Sequence, residues 1–427
     1  GDVHFISIST RTNIKEIRHL DKYIQKSYIA GWSVDMCSFR KIFLCAFFGA
    51  LEWNGVGGIL VSSHVFSNHK GGCGKTTNLF HACAEYAMRH PEEKVLVIDT
   101  TLRGDLSELL FGGDKGAAGK QTLRAVAALR STTRLLMQAA SVSAASEATV
   151  RAGSTLDELI KKLFPKERGA DAVSCLFDIM DQIVHIHDFN PVIPDNLYLC
   201  PGGSGPQTSY PAQQRAGIAS TIRQVLEESG DEWKLMCDTD GDQGFSDYTK
   251  VAHAICDCCI IPLKTNVNDF SNRCVPMLEE LYQLRQRGEV RSRVQLLIWN
   301  EVDVQKNAPS DVSGLITPPK AAQGVISMLN GLVAEVASNY PDLFYNAAPE
   351  DRAQLVDFIA ATTMCMRAFG VTGLAAAEHG TPFCALQAGR LEGGRIRYEV
   401  AADTLQQHAN NVAELADRLN GPPWGRG

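Results

Sequence analysis

Ser67-Asn-His-Lys-Gly-Gly-Cys-Gly-Lys-Thr-Thr77 is the stretch that decides the fold. The apolar run before it, Gly58-Ile-Leu-Val-Ser-Ser-His-Val-Phe66, predicts a buried strand. The residues after it predict a helix over 78–90, with Leu79, Phe80, Cys83, Ala84, Ala87 and Met88 at helical spacing. Strand, glycine-rich turn and helix in that order make a phosphate cradle. Gly71, Gly72 and Gly74 let backbone N–H groups, including that of Cys73, approach an anion closely. The helix N-terminus adds its partial positive charge. Lys75 is spaced to reach terminal phosphates, and the Thr76 hydroxyl, next to Thr77, to ligate Mg²⁺. A tight glycine turn with no ligand is the plainer alternative.

The common phosphate loop reads G-x-x-x-x-G-K-[ST]. Here His69 holds the first glycine position and a second lysine, Lys70, follows it. This resembles the K-G-G-x-G-K-[ST] loop of the ParA/MinD ATPases, which partition plasmids and chromosomes or position other cargo. The resemblance implies ATP and Mg²⁺ as cofactors and an ATP-dependent homodimer. In that family the extra lysine, here Lys70, crosses to the partner subunit's nucleotide. A nearby look-alike, Gly112-Gly-Asp-Lys-Gly-Ala-Ala-Gly-Lys-Gln121, has Asp114 at an expected glycine and Gln121 in place of the hydroxyl. It is expected to be a flexible loop.

Composition sets limits on function. The chain has 427 residues, 45% of them hydrophobic and 21% charged, as in ordinary globular proteins. A net charge of −7 means that any contact with DNA requires a local basic patch. Thirteen cysteines without disulfide-like spacing fit a reducing compartment. The expected location is the cytoplasm, with an organelle stroma or matrix as the alternative. Cys256-Asp-Cys-Cys259 invites a metal reading but lacks a second paired cluster, so buried small residues are expected there. His185-Ile-His-Asp188 is read as structural. Ile42-Phe-Leu-Cys-Ala-Phe-Phe-Gly-Ala-Leu51 is too short for a bilayer, which takes ~20 residues. Membrane contact is not expected.

The remaining chain alternates strand and helix signals. Lys94–Asp99 reads as a buried strand ending in a carboxylate. The related family continues D-x-D-P-Q-G-N. Asp99 matches the first aspartate and Gly104 the glycine, but Thr101 replaces the second aspartate, which supports hydrolysis in that family. A threonine is not a carboxylate base, so Asp105, Asp240 or Asp242 would have to compensate. Helical patterns are read at 122–140, 156–163 and 172–184, and the block 112–190 as a helical insertion. Asn196–Gly203 reads as a strand and turn, 212–229 as a helix, and Glu232–Asp238 as a strand with Asp238 at the Walker B position, near Thr76. Ala252–Leu263 reads as a strand, 269–287 as a helix, and Val294–Asn300 as a strand. Asn300 ends where related ATPases present a base-contacting asparagine. Helices are expected at 321–337, 351–369 and 401–419. Gly373–Cys384 resembles the family's turn before the nucleotide-side loop. Two arginine groups, Arg285/Arg287/Arg291/Arg293 and Arg390/Arg395/Arg397, fit either phosphate-backbone patches or solvated edges.

These signals predict an α/β fold: a mostly parallel twisted sheet with helices on both faces and a helical insertion. Residues 1–54 form an N-terminal extension, 55–420 the ParA-like ATPase domain, and 421–427 a tail. The resemblance assigns catalysis to Lys70, Lys75, Asp99 and Thr101, nucleotide contacts to residues 70–77 and Asn300, and Mg²⁺ to Thr76, Asp99 and Asp238. Its implied output is a dimer–monomer switch, with nonspecific DNA and an ATPase-stimulating adaptor protein as partners. Two alternatives stay open: a nucleotide-dependent binding module that does not hydrolyse, and a metabolic or metal-cluster-assembly protein on the same loop.

Overall fold

The computed structural model describes residues 62–151, 179–203, 208–229, 231–241, 244–303, 318–392 and 396–420. Nearly all belong to one unit, Gly57–Glu147 with Phe177–Gly427. Of the other, Gly1–Val56 with Ala148–Leu176, only 148–151 are described. The expectations for 1–54, 156–163 and 421–427 lie outside the described residues.

The first unit is built on an eight-stranded sheet in the order β3-β4-β2-β5-β1-β6-β7-β8. Its strands are β1 (Ser62–Phe66), β2 (Lys94–Asp99), β3 (Val184–His185), β4 (Leu197–Cys200), β5 (Trp233–Asp238), β6 (Cys258–Lys264), β7 (Arg293–Val302) and β8 (Thr363–Arg367). All neighbours run parallel except β3 against β4. A parallel sheet covered on both faces needs apolar side chains in both directions, which explains uninterrupted runs such as Val95-Leu-Val-Ile98. Leu96 and Ile98 point into one core, with Leu235, Cys237, Ile261 and Trp299. Val95 and Val97 point into the other, with Phe66, Met236 and Ile298.

Helix α1 (Lys75–Arg89) packs its Leu79, Phe80 and Cys83 on the second face, joined by α2 (Asp105–Leu110) and α3 (Ala118–Ala127). The first face is covered by α4 (Thr132–Arg151), α5 (Ala212–Glu228), α6 (Asp247–Ile255), α7 (Val275–Gln286), α8 (Lys320–Asn339) and α9 (Arg352–Thr362). Helix α10 (Gly370–His379), the hairpin β9 (Gly389–Glu392)–β10 (Arg397–Val400) and α11 (Ala402–Arg418) share a smaller third cluster. Central β1 has β5 and β2 on one side and β6 and β7 on the other. This is the topological switch point at which open α/β sheets bind ligands.

Five expectations change. The look-alike stretch 112–121 is no loop: it turns at Gly112 and Gly113 and enters α3, where Gly119 lies so close to α2 that a Cβ would meet the Glu108 carbonyl at 2.2 Å. The helix expected over 122–140 is broken at 128–131, and its serine- and alanine-rich sequel stays helical in α4, as alanine propensity allows. The end of the 172–184 run is a 3-10 turn (Ile179–Asp181) leading into β3. Ala252–Ile255 finish α6, which Ser246 opens by accepting a hydrogen bond from the Thr249 N–H; only Cys258 onward is strand. Residues 351–369 split into α9 and β8, whose Met364 and Met366 alternate into the core. In the last two cases a short apolar run fits a buried helix and a buried strand equally well.

Candidate nucleotide-binding site

The turn after β1 is tied to the neighbouring strand. The Ser67 N–H donates to the Ile260 carbonyl, and Asn68 Nδ2 donates to the Pro262 carbonyl at 2.7 Å. His69, in place of a glycine, turns inward against the edge of Phe245 and lies 3.6 Å from Glu280. Burial lowers its pKa despite that carboxylate. Gly72 and Gly74 take φ of 69° and 95°, left-handed values that turn successive N–H groups to one side and close the loop onto α1.

Asn300 holds this conformation from behind. Its Nδ2 donates to the Cys73 carbonyl at 2.9 Å, and a Cβ on Gly74 would meet that nitrogen at 2.0 Å. The base-contacting role expected of Asn300 is thus not what its amide nitrogen does here: that nitrogen is spent on the loop backbone. Gly241, three residues after Asp238, closes the opposite side. A Cβ there would meet the Gly71 nitrogen at 2.6 Å. Neither support was read from sequence. A glycine three residues beyond a strand-end aspartate was the available signal for the second.

The two lysines differ in partner. Lys75 is buried and its Nζ donates to the Lys70 carbonyl at 3.1 Å, with no carboxylate paired to it among the described residues. Lys70 is half-buried and ion-paired to Asp269, just after β6. Thr76, in the first turn of α1, donates its hydroxyl to Asp238 Oδ2 at 2.8 Å. Asp238 is fully buried, and its other oxygen, Oδ1, finds no hydrogen-bond partner among the described residues. Burial, then the nearby Asp99 charge, pushes its pKa up to about 8; the Thr76 hydroxyl, Lys75 and the Thr239 N–H oppose this. A buried carboxylate with an orphaned oxygen beside a hydroxyl is a donor set for a hard divalent cation.

Asp99 and Asp238 are register partners on adjacent strands, yet their surroundings are opposite. Asp99 Oδ1 accepts from the Thr101 N–H at 3.0 Å and the Thr101 hydroxyl at 2.6 Å. Its Oδ2 accepts from the Ser107 N–H at 3.0 Å and the Ser107 hydroxyl at 2.6 Å. Thr101 Oγ1 also accepts from the Gly104 N–H. Both residues are therefore engaged in holding the turn into α2. Burial raises the Asp99 pKa, and the Ser107 and Thr101 hydrogen bonds counter it. Asp105 is exposed in the first turn of α2, and Asp242 lies outside the described residues.

The remaining candidates resolve as structure. Cys256 lies 3.5 Å from Cys237, sulfur to sulfur, and Cys258 and Cys259 are buried in β6. His185 ends the edge strand and binds Asp188 and the Asp195 carbonyl. Arg287 pairs with Glu289 and Arg291 with Asp257, while Arg285 donates to the Arg291 and Ser292 carbonyls. Arg390 and Arg397 pair across the exposed hairpin with Glu399 and Glu392. Among the described residues no helix is long and apolar enough to cross a membrane.

No family model matches the chain, and no curated protein does. Among solved structures it is similar to Cyanothece McdA in complex with ATP, at 12% identity and a TM-score of 0.48, covering 87% of this chain and 100% of that one. It is also similar to pNOB8 ParA bound to nonspecific DNA (12% identity, 84% and 98% covered, TM-score 0.44). A third is the MinD cell division protein of Aquifex aeolicus (12% identity, 84% and 98% covered, TM-score 0.38). These three structures are of an McdA, a ParA and a MinD protein.

Proposed function

We propose that this protein is an ATP-binding dimerisation switch of the ParA/MinD kind, with slow hydrolysis that a partner accelerates. The observation that carries the reading is the Thr76–Asp238 pair with its orphaned Asp238 oxygen, directly behind a lysine-bearing glycine loop. The loop N–H groups of residues 71–74 bind the phosphates, and Lys75 neutralises their charge. Thr76 and Asp238 would hold a Mg²⁺ ion, which would supply positive charge against the phosphoryl group. The surrounding atoms position and exclude water. Asp99 acts on the cation only through its charge, since its lone pairs are engaged. Lys70 leaves Asp269 and acts on the partner subunit's nucleotide. Dimerisation gates binding to cargo, an adaptor protein or nonspecific DNA. The domain runs over 55–420.

Thr101 favours a second reading, a nucleotide latch without turnover, because its hydroxyl is committed to Asp99 and no carboxylate stands in its place. One experiment separates the two. Turnover and light-scattering mass are measured with Mg-ATP and with ADP for wild type, Lys70→Ala and Lys75→Ala. An ATP-dependent dimer with turnover, both lost in the variants, supports the switch ATPase. A dimer without turnover supports the latch. No response to nucleotide overturns both.

A further inference from the structure

Two consecutive basic side chains open the glycine loop, and both are answered from one helical run. Lys70 pairs with Asp269, and His69 faces Glu280. Val267–Asp269 are helical, Phe270–Cys274 form a π-helical turn, and α7 follows without a break at Val275. Such turns mark places where a helix yields, often beside functional sites. The contact at His69 is unfinished. Its Nε2 is buried and has no hydrogen-bond partner among the described residues, yet Glu280 Oε2 lies 3.6 Å away, just beyond hydrogen-bond reach. The other Glu280 oxygen, Oε1, accepts from the Phe245 N–H at 3.4 Å, in the turn just before α6. The Phe245 ring packs against both His69 and His253 of α6, with centroids 4.6 and 4.7 Å away. Glu280 is therefore the point at which the loop, this turn and α7 meet. A buried nitrogen without a partner costs free energy that a small movement toward Glu280 recovers.

Burial holds the His69 pKa below its ordinary value; Glu280 raises it and Lys75 lowers it. His253, across the Phe245 ring, is pushed down to about 3 by burial and then by His69, so it is neutral. Lys70 is already matched by Asp269. Lys75 is the group that a bound phosphate would neutralise. Phosphate in the loop thus removes a charge that opposes a proton on His69 and adds a negative one. An imidazolium donates from both nitrogens, and strongly to a carboxylate. We propose that His69 is a positioning residue: phosphate in the loop closes its ring onto Glu280, and through Glu280 draws α7 and the turn before α6 toward the loop. The proposal rests on the phosphate-loop reading and gives it an output inside the protomer.

The test titrates Mg-ATP into wild type, His69→Gln and Glu280→Gln by calorimetry between about pH 5.5 and 7.5. Buffers of low and high ionisation heat report proton uptake, and hydrogen exchange of α7 is followed in parallel. His69→Gln keeps a donor that does not titrate. Glu280→Gln keeps an acceptor for the Phe245 N–H without the charge. Protons taken up by the nucleotide itself appear in all three proteins, so only differences between proteins are read. Binding that raises the proton affinity of His69 tightens as pH falls from the bound pKa to the free one. Wild type is expected to take up about half a proton more than either variant at about pH 6, and to bind about three- to tenfold more tightly there than at about pH 7.5. Mg-ATP is expected to slow exchange in α7 of wild type, and both variants to lose this protection. If His69→Gln does not fold, wild type against Glu280→Gln, whose side chain is partly exposed, decides in the same way. Equal uptake in wild type and the variants overturns the proposal, as does uptake without added protection of α7. Uptake lost in His69→Gln but kept in Glu280→Gln removes Glu280 as the receiving group and overturns it too. Failure of wild type to bind Mg-ATP at any pH overturns the phosphate-loop reading instead.

Discussion

Asp99 and Asp238 end neighbouring strands in register, are both fully buried, and do opposite things. Asp99 collects four hydrogen bonds from Thr101 and Ser107. Asp238 receives Thr76 on one oxygen, and among the described residues its other oxygen finds no hydrogen-bond partner. A carboxylate with its lone pairs filled organises a turn. A buried carboxylate oxygen without a partner costs free energy that a cation would recover. Aspartate at a strand end is the same letter in both places; the local donors decide its role.

The sharpest way to break this contrast is Asn substitution at each position. Asp238→Asn is expected to weaken Mg-ATP binding on the order of 100-fold, the scale of losing a charge-bearing cation ligand, read by isothermal titration. Omitting Mg²⁺ should reduce wild-type binding to the level of the variant. Its thermal stability without ligand should change by less than about 1 kcal/mol, since the carboxylate is poorly satisfied to begin with. An unaffected affinity would remove Asp238 from the cation site.

Asp99→Asn should do the reverse. The amide nitrogen, in place of either oxygen, faces one N–H group and one hydroxyl, from Thr101 or from Ser107, so a buried N–H is left facing a donor at a cost of about 2–4 kcal/mol, while the amide oxygen still accepts from the other pair. Urea unfolding should show this as a lower midpoint. Residual folded protein should still bind Mg-ATP within a few-fold of wild type. Comparable losses of affinity in both variants would collapse the distinction.

The same contrast runs along one strand. β5 carries Asp238 at its C-terminal end and Lys234 at its N-terminal end. Lys234 is fully buried; it donates to the Leu419 carbonyl at the end of α11 and to Ser62 Oγ, and it lies over the Tyr86 ring. Burial lowers its pKa to about 7, with Cys258, Glu93 and Cys256 opposing; neighbouring His64 is pushed well down by its own burial. The unfolded chain therefore holds the lysine proton between pH 7 and about 10.4 while the folded chain does not. Stability carried by this group rises with pH across that window, and the burial cost is complete below it. Relative to Lys234→Met, wild type should gain on the order of 1–3 kcal/mol from pH 7 to 10. Parallel profiles for the two proteins would show that Lys234 stays protonated at its carbonyl.

The sequence made the central strands and the loop readable because each carries a redundant signal. Lys94–Asp99 is apolar throughout, bounded by a charge at either end, and the helix after Thr76 keeps its period for four turns. Motif and geometry coincide at Lys75, Thr76 and Asp238, which the fold brings together as the spacing led one to expect. The site was not legible where function depends on which donors lie nearby in space. Nothing in the sequence says that Ser107 and Thr101 converge on Asp99, or that the Asn300 amide reaches back 227 positions to Cys73. The α6–β6 and α9–β8 boundaries were lost for a different reason. Short apolar runs flanked by alanine or methionine satisfy both periods; in the fold, His253 in α6 bonds Ser292 and Met364 and Met366 of β8 enter the core.

The last contrast lies within the loop. Among the described residues Lys75 has no carboxylate in ion-pair contact and faces a backbone carbonyl, which leaves its ammonium available to phosphate, whereas Lys70 is ion-paired to Asp269. Asp269 is fixed in turn by the Asn266 side chain, which accepts from the Asn268 and Asp269 N–H groups. Any anion that recruits Lys70 competes with that carboxylate, so the ion pair sets a threshold. Asp269→Asn removes the competitor and leaves the turn able to form. The pair is partly exposed, so the effect is small: the nucleotide concentration for half-maximal dimer should fall about two- to fivefold. The shift should vanish in a Lys70→Met background, as a double-mutant cycle requires if the two residues act on each other, and should shrink at high salt. A rise in the required concentration would mean that Asp269 aims Lys70 rather than restrains it, and the two lysines would then differ in direction and not in availability.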